Sequence, residues 1–152
     1  MKLAEVALAD EAATASLGAA LAPLLAAGDV VRLKGDLGAG KSTLARAVIR
    51  ALTGAADAPS PTFTLVEAYE AKEFALWHFD LYRLDAPNEV WELGLEEALD
   101  EGVSLIEWPE RIDGLLPSGG LTLALEIRGD TRHAILSGDA VWAERLHNAG
   151  IS

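Results

Sequence analysis

Eight consecutive residues carry most of the chemistry this sequence can do. Gly35-Asp36-Leu37-Gly38-Ala39-Gly40-Lys41-Ser42 matches the pattern G-x-x-x-x-G-K-[ST]. Glycines let successive backbone N–H groups turn inward as a nest around phosphate oxygens. A helix starting near Lys41 would aim its first N–H groups and the positive end of its dipole at the same charge. Lys41 is then placed to reach the β- and γ-phosphates, and Ser42 to offer a hydroxyl to Mg²⁺. A chance glycine-rich turn of this pattern is a roughly half-per-cent event in a chain of 152 residues at ordinary residue usage. An apolar run before the loop and an amphipathic run after it lower that further. No Asn-Lys-x-Asp guanine motif occurs in the chain, which favours ATP over GTP.

A phosphate loop of this kind needs an acidic partner at the end of a neighbouring strand, to hold or orient Mg²⁺ and its waters. Asp80 ends Ala75-Leu76-Trp77-His78-Phe79, and Glu107 ends Val103-Ser104-Leu105-Ile106. Ligands of open α/β sheets sit at such carboxyl ends. A strand-end glutamate can polarise an attacking water as well as act on Mg²⁺. Both acids remain candidates for both tasks, and the plain alternative for Asp80 is a helix cap or an ion-pair partner of Arg83. Lys41, Asp80 and Glu107 form the candidate catalytic set, with Ser42 and Glu107 facing the metal. Ser60-Pro61-Thr62-Phe63-Thr64 follows the loop's helix, where a γ-phosphate sensor would sit, so Ser60 and Thr62 are candidate switch residues. His78 reads as an ordinary strand histidine. Trp77, Trp91 and Trp142 read as core or packing residues, and Trp108, next to Glu107, is expected close to the site.

The elements that must position these groups follow from periodicity. Lys2 to Leu8 suits a first strand. Asp10 caps a helix running to about Ala27, with a kink at Pro23. Val30 to Lys34 is a buried strand leading into the loop, and Ser42 to Leu52 the helix behind it, ended by Thr53-Gly54. Thr62 to Tyr69 alternates like a strand, with Phe63, Leu65 and Ala68 on the apolar side. Phe74 to Asp80 is the next strand. Ala86-Pro87 starts a helix expected to reach Asp100, and Val103 to Glu107 is a short apolar strand. Leu121 to Arg128 and Arg132 to Leu136 form a hairpin about Gly129-Asp130, and Asp139 caps a last helix. Strands alternating with helices, then a late hairpin, predict an α/β three-layer domain with a mixed central sheet, one P-loop domain over residues 1–152.

Composition narrows the partners. The apolar fraction is 51% and there is no cysteine, which excludes disulfides, thiolate metal sites and thiol catalysis. The net charge of −12 repels phosphate backbones, so the chain is not expected to bind DNA, and RNA only through other proteins. The alanine-rich stretch from Ala12 to Ala27 carries Thr14, Ser16, Gly18 and Pro23, which suits a helix on a folded core and not a membrane span. No basic start followed by a long apolar run marks the N-terminus, so a cytoplasmic location is expected.

Four motifs then line up in order: Gly35 to Thr43, Ser60-Pro61-Thr62-Phe63-Thr64-Leu65, His78-Phe79-Asp80-Leu81-Tyr82-Arg83-Leu84, and Ile106-Glu107-Trp108-Pro109-Glu110. Together they strongly resemble the TsaE (YjeE) family over about Thr14 to Arg111. The resemblance implies a P-loop ATPase with a mixed sheet, required for threonylcarbamoyladenosine in tRNA beside the anticodon. It implies action on a complex of two other proteins, TsaB and TsaD, of which TsaD carries the transferase site. By motif it puts Lys41, Ser42 and Thr43 on phosphate and Mg²⁺, within a binding run of Asp36, Leu37, Gly38, Ala39, Gly40, Lys41, Ser42 and Thr43, and it makes Asp80 and Glu107 the functional acids. Ser42 stands where the family usually has threonine. A P-loop small-molecule kinase is the alternative. It would need an arginine-bearing lid, and the arginines here form no such cluster.

Overall fold

The structure, a computed structural model, describes residues 1–55, 61 and 64–151. Seven strands form one sheet among these residues: β1 (Lys2–Leu8), β2 (Val30–Lys34), β3 (Val66–Glu70), β4 (Ala75–Asp80), β5 (Val103–Glu107), β6 (Leu121–Arg128) and β7 (Thr131–Gly138). Their spatial order is β1-β7-β6-β2-β5-β4-β3. The four central strands β6, β2, β5 and β4 run parallel, while β1, β7 and β3 join antiparallel at the two sides. The sheet is mixed, as expected. A parallel centre needs covering on both faces.

Residue alternation supplies that cover. On one face Val31 and Leu33 of β2 meet α1 (Glu11–Leu21), α2 (Lys41–Thr53) and α4 (Ala140–Asn148). In α1 the buried positions are Thr14, Leu17, Gly18 and Leu21, the i, i+3, i+4, i+7 stripe of a core-facing helix. Its N-cap Asp10 accepts a hydrogen bond from the Ala13 N–H at 2.8 Å. In α2 the fully covered Leu44, Val48 and Ile49 each contribute about 1.5–3 kcal/mol by leaving water. On the other face Val30, Phe79 and Ile106 meet α3 (Leu95–Glu101) and the 3-10 turns at Pro87–Leu93 and Pro109–Leu115. Helical segments therefore lie on both sides of the sheet, giving the three layers. No helix of the described residues is long and apolar enough to cross a membrane.

Four expectations shift. The first helix stops at Leu21, and Pro23 sits in a short 3-10 turn, Ala22–Leu24, because proline brings no N–H to continue the ladder. The helix expected from Ala86 to Asp100 breaks at Gly94, which has φ 95°. A Cβ there would come within 2.7 Å of the Trp77 ring, so only glycine fits beside the indole, and its left-handed φ ends the 3-10 segment before α3 begins. The strand expected from Thr62 begins at Val66; Leu65 takes a left-handed φ of 67° and resets the alternation, which leaves Ala68 exposed. Residues 62 and 63, including Phe63, lie outside the described residues. Trp91 is 41% exposed, because its neighbour Val90 takes the inward position of the 3-10 turn.

The expected hairpin forms, joined by Gly129-Asp130, and Asp139 caps α4 by accepting from the Trp142 N–H at 3.1 Å. Trp142 is buried, and Trp77 stacks on Phe79 with ring centroids 6.2 Å apart.

Candidate functional site

The register of the parallel centre builds the site. Leu33 of β2 pairs with Glu107 of β5, and Asp80 of β4 pairs with the same Glu107. Three strands thus end level, and the glycine loop leaves β2 at that edge. Gly35 has φ 146°, and a Cβ on it would meet the Leu125 carbonyl oxygen at 2.7 Å, so only glycine fits this approach of loop to β6. Gly38 and Gly40 also have positive φ, and α2 opens at Lys41 directly behind them.

Charged groups here are buried. Lys41 is 5% exposed, Asp80 6% and Glu107 2%. The Ser42 hydroxyl donates to the Glu107 carboxylate, with oxygens at 3.0 and 3.1 Å. The Oε2 atom of that carboxylate also lies 2.6 Å from His78 Nε2. The Asp80 carboxylate accepts from the Tyr82 N–H at 3.2 Å. Lys41 Nζ donates to the Gly35 carbonyl and sits 3.6 Å from the centroid of the Trp108 ring, a cation–π contact. Trp108 can cover it because its own φ is 60°, a left-handed residue that turns the chain out of β5 into Pro109; such a backbone costs a non-glycine residue roughly 1–2 kcal/mol. Tyr82 packs on Trp108, centroids 4.9 Å apart. Burial pushes the Lys41 pKa down, opposed by the negative charges of Glu107, Glu110, Asp80 and Asp36.

Lys41, Ser42, Asp80 and Glu107 line one cleft of about 290 Å³ with Leu37, Gly38, Gly40, Thr43, Tyr82 and Trp108. A second cleft, about 210 Å³, shares Gly38, Gly40 and Thr43 with the first. Ala39, Asp10, Thr14 and Arg132 line it, and Arg132 reaches the loop by donating to the Gly38 carbonyl at 3.4 Å. Asp36 contributes through its charge on Lys41. The candidate switch residues Ser60 and Thr62 lie outside the described residues.

Three participants escaped the sequence reading. His78 is one: it stands two residues before Asp80, on the same face of β4, and that parity is the signal that could have found it. Thr14 and Arg132 come from α1 and β7 and carry no motif. Among the described residues no cluster of three or more His, Cys, Asp or Glu could by itself hold a metal ion. One hydroxyl beside one carboxylate suits Mg²⁺, which binds few protein ligands and takes the rest from phosphate and water.

A mixed α/β sheet with a G-x-x-x-x-G-K-S loop between its central parallel strand and the helix behind defines a P-loop-type domain. Within that class the chain belongs to the TsaE family: the family model described as threonylcarbamoyl adenosine biosynthesis protein TsaE matches residues 8–135. The match extends past both ends of the span that the motifs alone suggested.

The chain is 41% identical over 126 residues to the tRNA threonylcarbamoyladenosine biosynthesis protein TsaE of Rickettsia felis, covering 82% of this chain and 74% of that one. It is 38% identical over 121 residues to the Bacillus subtilis protein of the same name, covering 76% and 75%. The crystal structure of Bacillus subtilis YdiB superposes with a TM-score of 0.76 at 25% identity, covering 99% of this chain and 96% of that one.

Proposed function

We propose that this chain is a cytoplasmic, Mg²⁺-dependent ATPase that serves threonylcarbamoyladenosine formation in tRNA, its hydrolysis driving or resetting a TsaB–TsaD transferase complex. Membership of the TsaE family supports the pathway. The observation that carries the ATPase reading is the single cleft in which a glycine nest, Lys41, Ser42, Asp80 and Glu107 converge. Backbone N–H groups of Gly38 to Ser42 and the start of α2 hold the β-phosphate. Lys41 leaves the Trp108 face to meet the β- and γ-phosphates. Ser42 and Glu107, already in contact, face the cation, which when bound would neutralise charge developing between the β- and γ-phosphate oxygens. Glu107 and Asp80 orient water, their burial strengthening every charge–charge term. The second cleft, lined by Thr14 and Arg132, takes the nucleoside end of the ligand.

Among the described residues there is a phosphate site and no arginine-bearing acceptor lid, and membership of a threonylcarbamoyladenosine-biosynthesis family favours hydrolysis that acts on another molecule. Its acidity leaves tRNA contact to the partners. The test is phosphate release from ATP by this protein alone, with the TsaB–TsaD pair, and with the pair plus tRNA. Slow turnover alone and acceleration by the partners is the expected result. Fast turnover indifferent to them overturns the coupling, and phosphorylation of a metabolite without any partner would make the chain a kinase.

A further inference from the structure

We propose that His78 is the positioning residue for Glu107: its Nε2–H fixes the carboxylate in the orientation that meets Ser42. The inference rests on the reading of Glu107 given above and adds a residue to it. Glu107 is held from two elements of the fold. Ser42 Oγ donates to it from α2, and His78 Nε2 stands 2.6 Å away on the neighbouring strand. A carboxylate only accepts hydrogen bonds, so the proton of that short contact belongs to Nε2. His78 is fully buried, and its Nδ1 has no hydrogen-bond partner among the described residues. A histidine kept for the stability of the fold would use both nitrogens, since an unmet buried polar atom is costly. Here all the hydrogen bonding of the ring goes to one carboxylate oxygen.

The strand geometry explains why the contact is stiff. His78 and Asp80 lie on the same face of β4, two residues apart, and β4 pairs with β5 in parallel register, Asp80 opposite Glu107. The ring therefore sits one step behind the two acids and under the carboxylate of the second. His78 is fully buried on its own face of the sheet, so close packing there leaves the ring little room to swing. Glu107 without this donor could still reach Ser42, but its carboxylate could rotate about its last torsion, a broad and soft one. Outer partners of this kind commonly tune the group they hold by 10–100-fold in activity or metal affinity.

The experiment compares His78→Leu, His78→Gln and His78→Asn with the unaltered protein and with Glu107→Gln, in the presence of the partner proteins. Glutamine ends in an N–H donor at about the reach of Nε2; asparagine is shorter, and leucine has no donor. The readouts are kcat, KM for ATP, the Mg²⁺ concentration at half-maximal rate, and the thermal midpoint. Expected for His78→Leu is a kcat lower by about 10–100-fold, a higher Mg²⁺ requirement, and a KM for ATP within about twofold, the pattern of an interaction made in the transition state. The thermal midpoint should fall only modestly, since the buried Glu107 loses a donor while leucine also removes the unmet Nδ1. His78→Gln should recover most of the rate and His78→Asn should not. Should His78→Leu fail to fold, the Gln–Asn pair decides alone, because both are polar and differ in reach. Full activity of a folded His78→Leu, or equal rates for Gln and Asn, overturns the positioning role. Full activity of Glu107→Gln would instead overturn the reading of Glu107 itself, so the two failures are distinct.

Discussion

The two clefts that meet at Gly38, Gly40 and Thr43 are built from opposite halves of the sheet. The first lies over β4 and β5, where parallel strands end level, and its lysine and two acids are all at most 6% exposed. The second lies over β1 and β7, at the antiparallel side, and its acids Asp10, Glu11 and Asp130 are exposed. Charges in the first cleft act in a low-dielectric setting and hold one another; charges in the second are screened by water. The first is therefore suited to altering a reacting phosphate, and the second only to seating the remainder of a ligand. Substitutions in the two should differ in size and in kind.

The largest effect is expected from Lys41→Ala. It removes the one cation in the loop, and turnover should fall by at least about 100-fold, as when a preorganised transition-state donor is lost, with weaker binding of a slowly hydrolysed ATP analogue. Isothermal titration and phosphate release check both; unchanged values would remove the first cleft from the mechanism. Arg132→Ala comes next. Its guanidinium meets the loop at 3.4 Å from a half-exposed position, so affinity should weaken by about fivefold, near 1 kcal/mol, with kcat unaltered. A loss of kcat equal to that of Lys41→Ala would erase the distinction between the clefts. The smallest functional effect belongs to Asp10→Ala. The Asp10 carboxylate is engaged with the Ala13 N–H, so its removal should cost about 1 kcal/mol of stability as a lost N-cap and leave turnover intact. Denaturant unfolding read beside the ATPase rate separates the two quantities.

Legibility follows the same division. The first cleft could be read because its parts are local: the loop is eight contiguous residues, and Asp80 and Glu107 each follow a strand whose apolar run announces where it ends. The second cleft could not, because Thr14 and Arg132 meet only after β7 has paired with β1 and β6. His78 falls between the cases. Its place two residues before Asp80 was visible, but its partner depends on the register of β4 against β5, and no single segment encodes a register. The helix expected from Ala86 to Asp100 was misread for a related reason. Its pattern is helical up to and beyond Gly94, and the left-handed turn there, with Trp77 of β4 packed where a Cβ would stand, depends on a residue outside the segment.

By itself the sequence determined the mixed α/β class, the strand–loop–helix unit around Gly35 to Ser42, the two strand-end acids, the hairpin at Gly129-Asp130 and the caps at Asp10 and Asp139. All rest on short-range rules: alternation of apolar residues, backbone freedom of glycine, and side chains that satisfy the first N–H groups of a helix. Only the tertiary structure decided which acid touches Ser42, that His78 stands behind Glu107, that Lys41 rests against Trp108, and that Arg132 comes to the loop. Those contacts join residues far apart in the chain, and they exist because burying both faces of one sheet fixes which strands lie side by side and in what register.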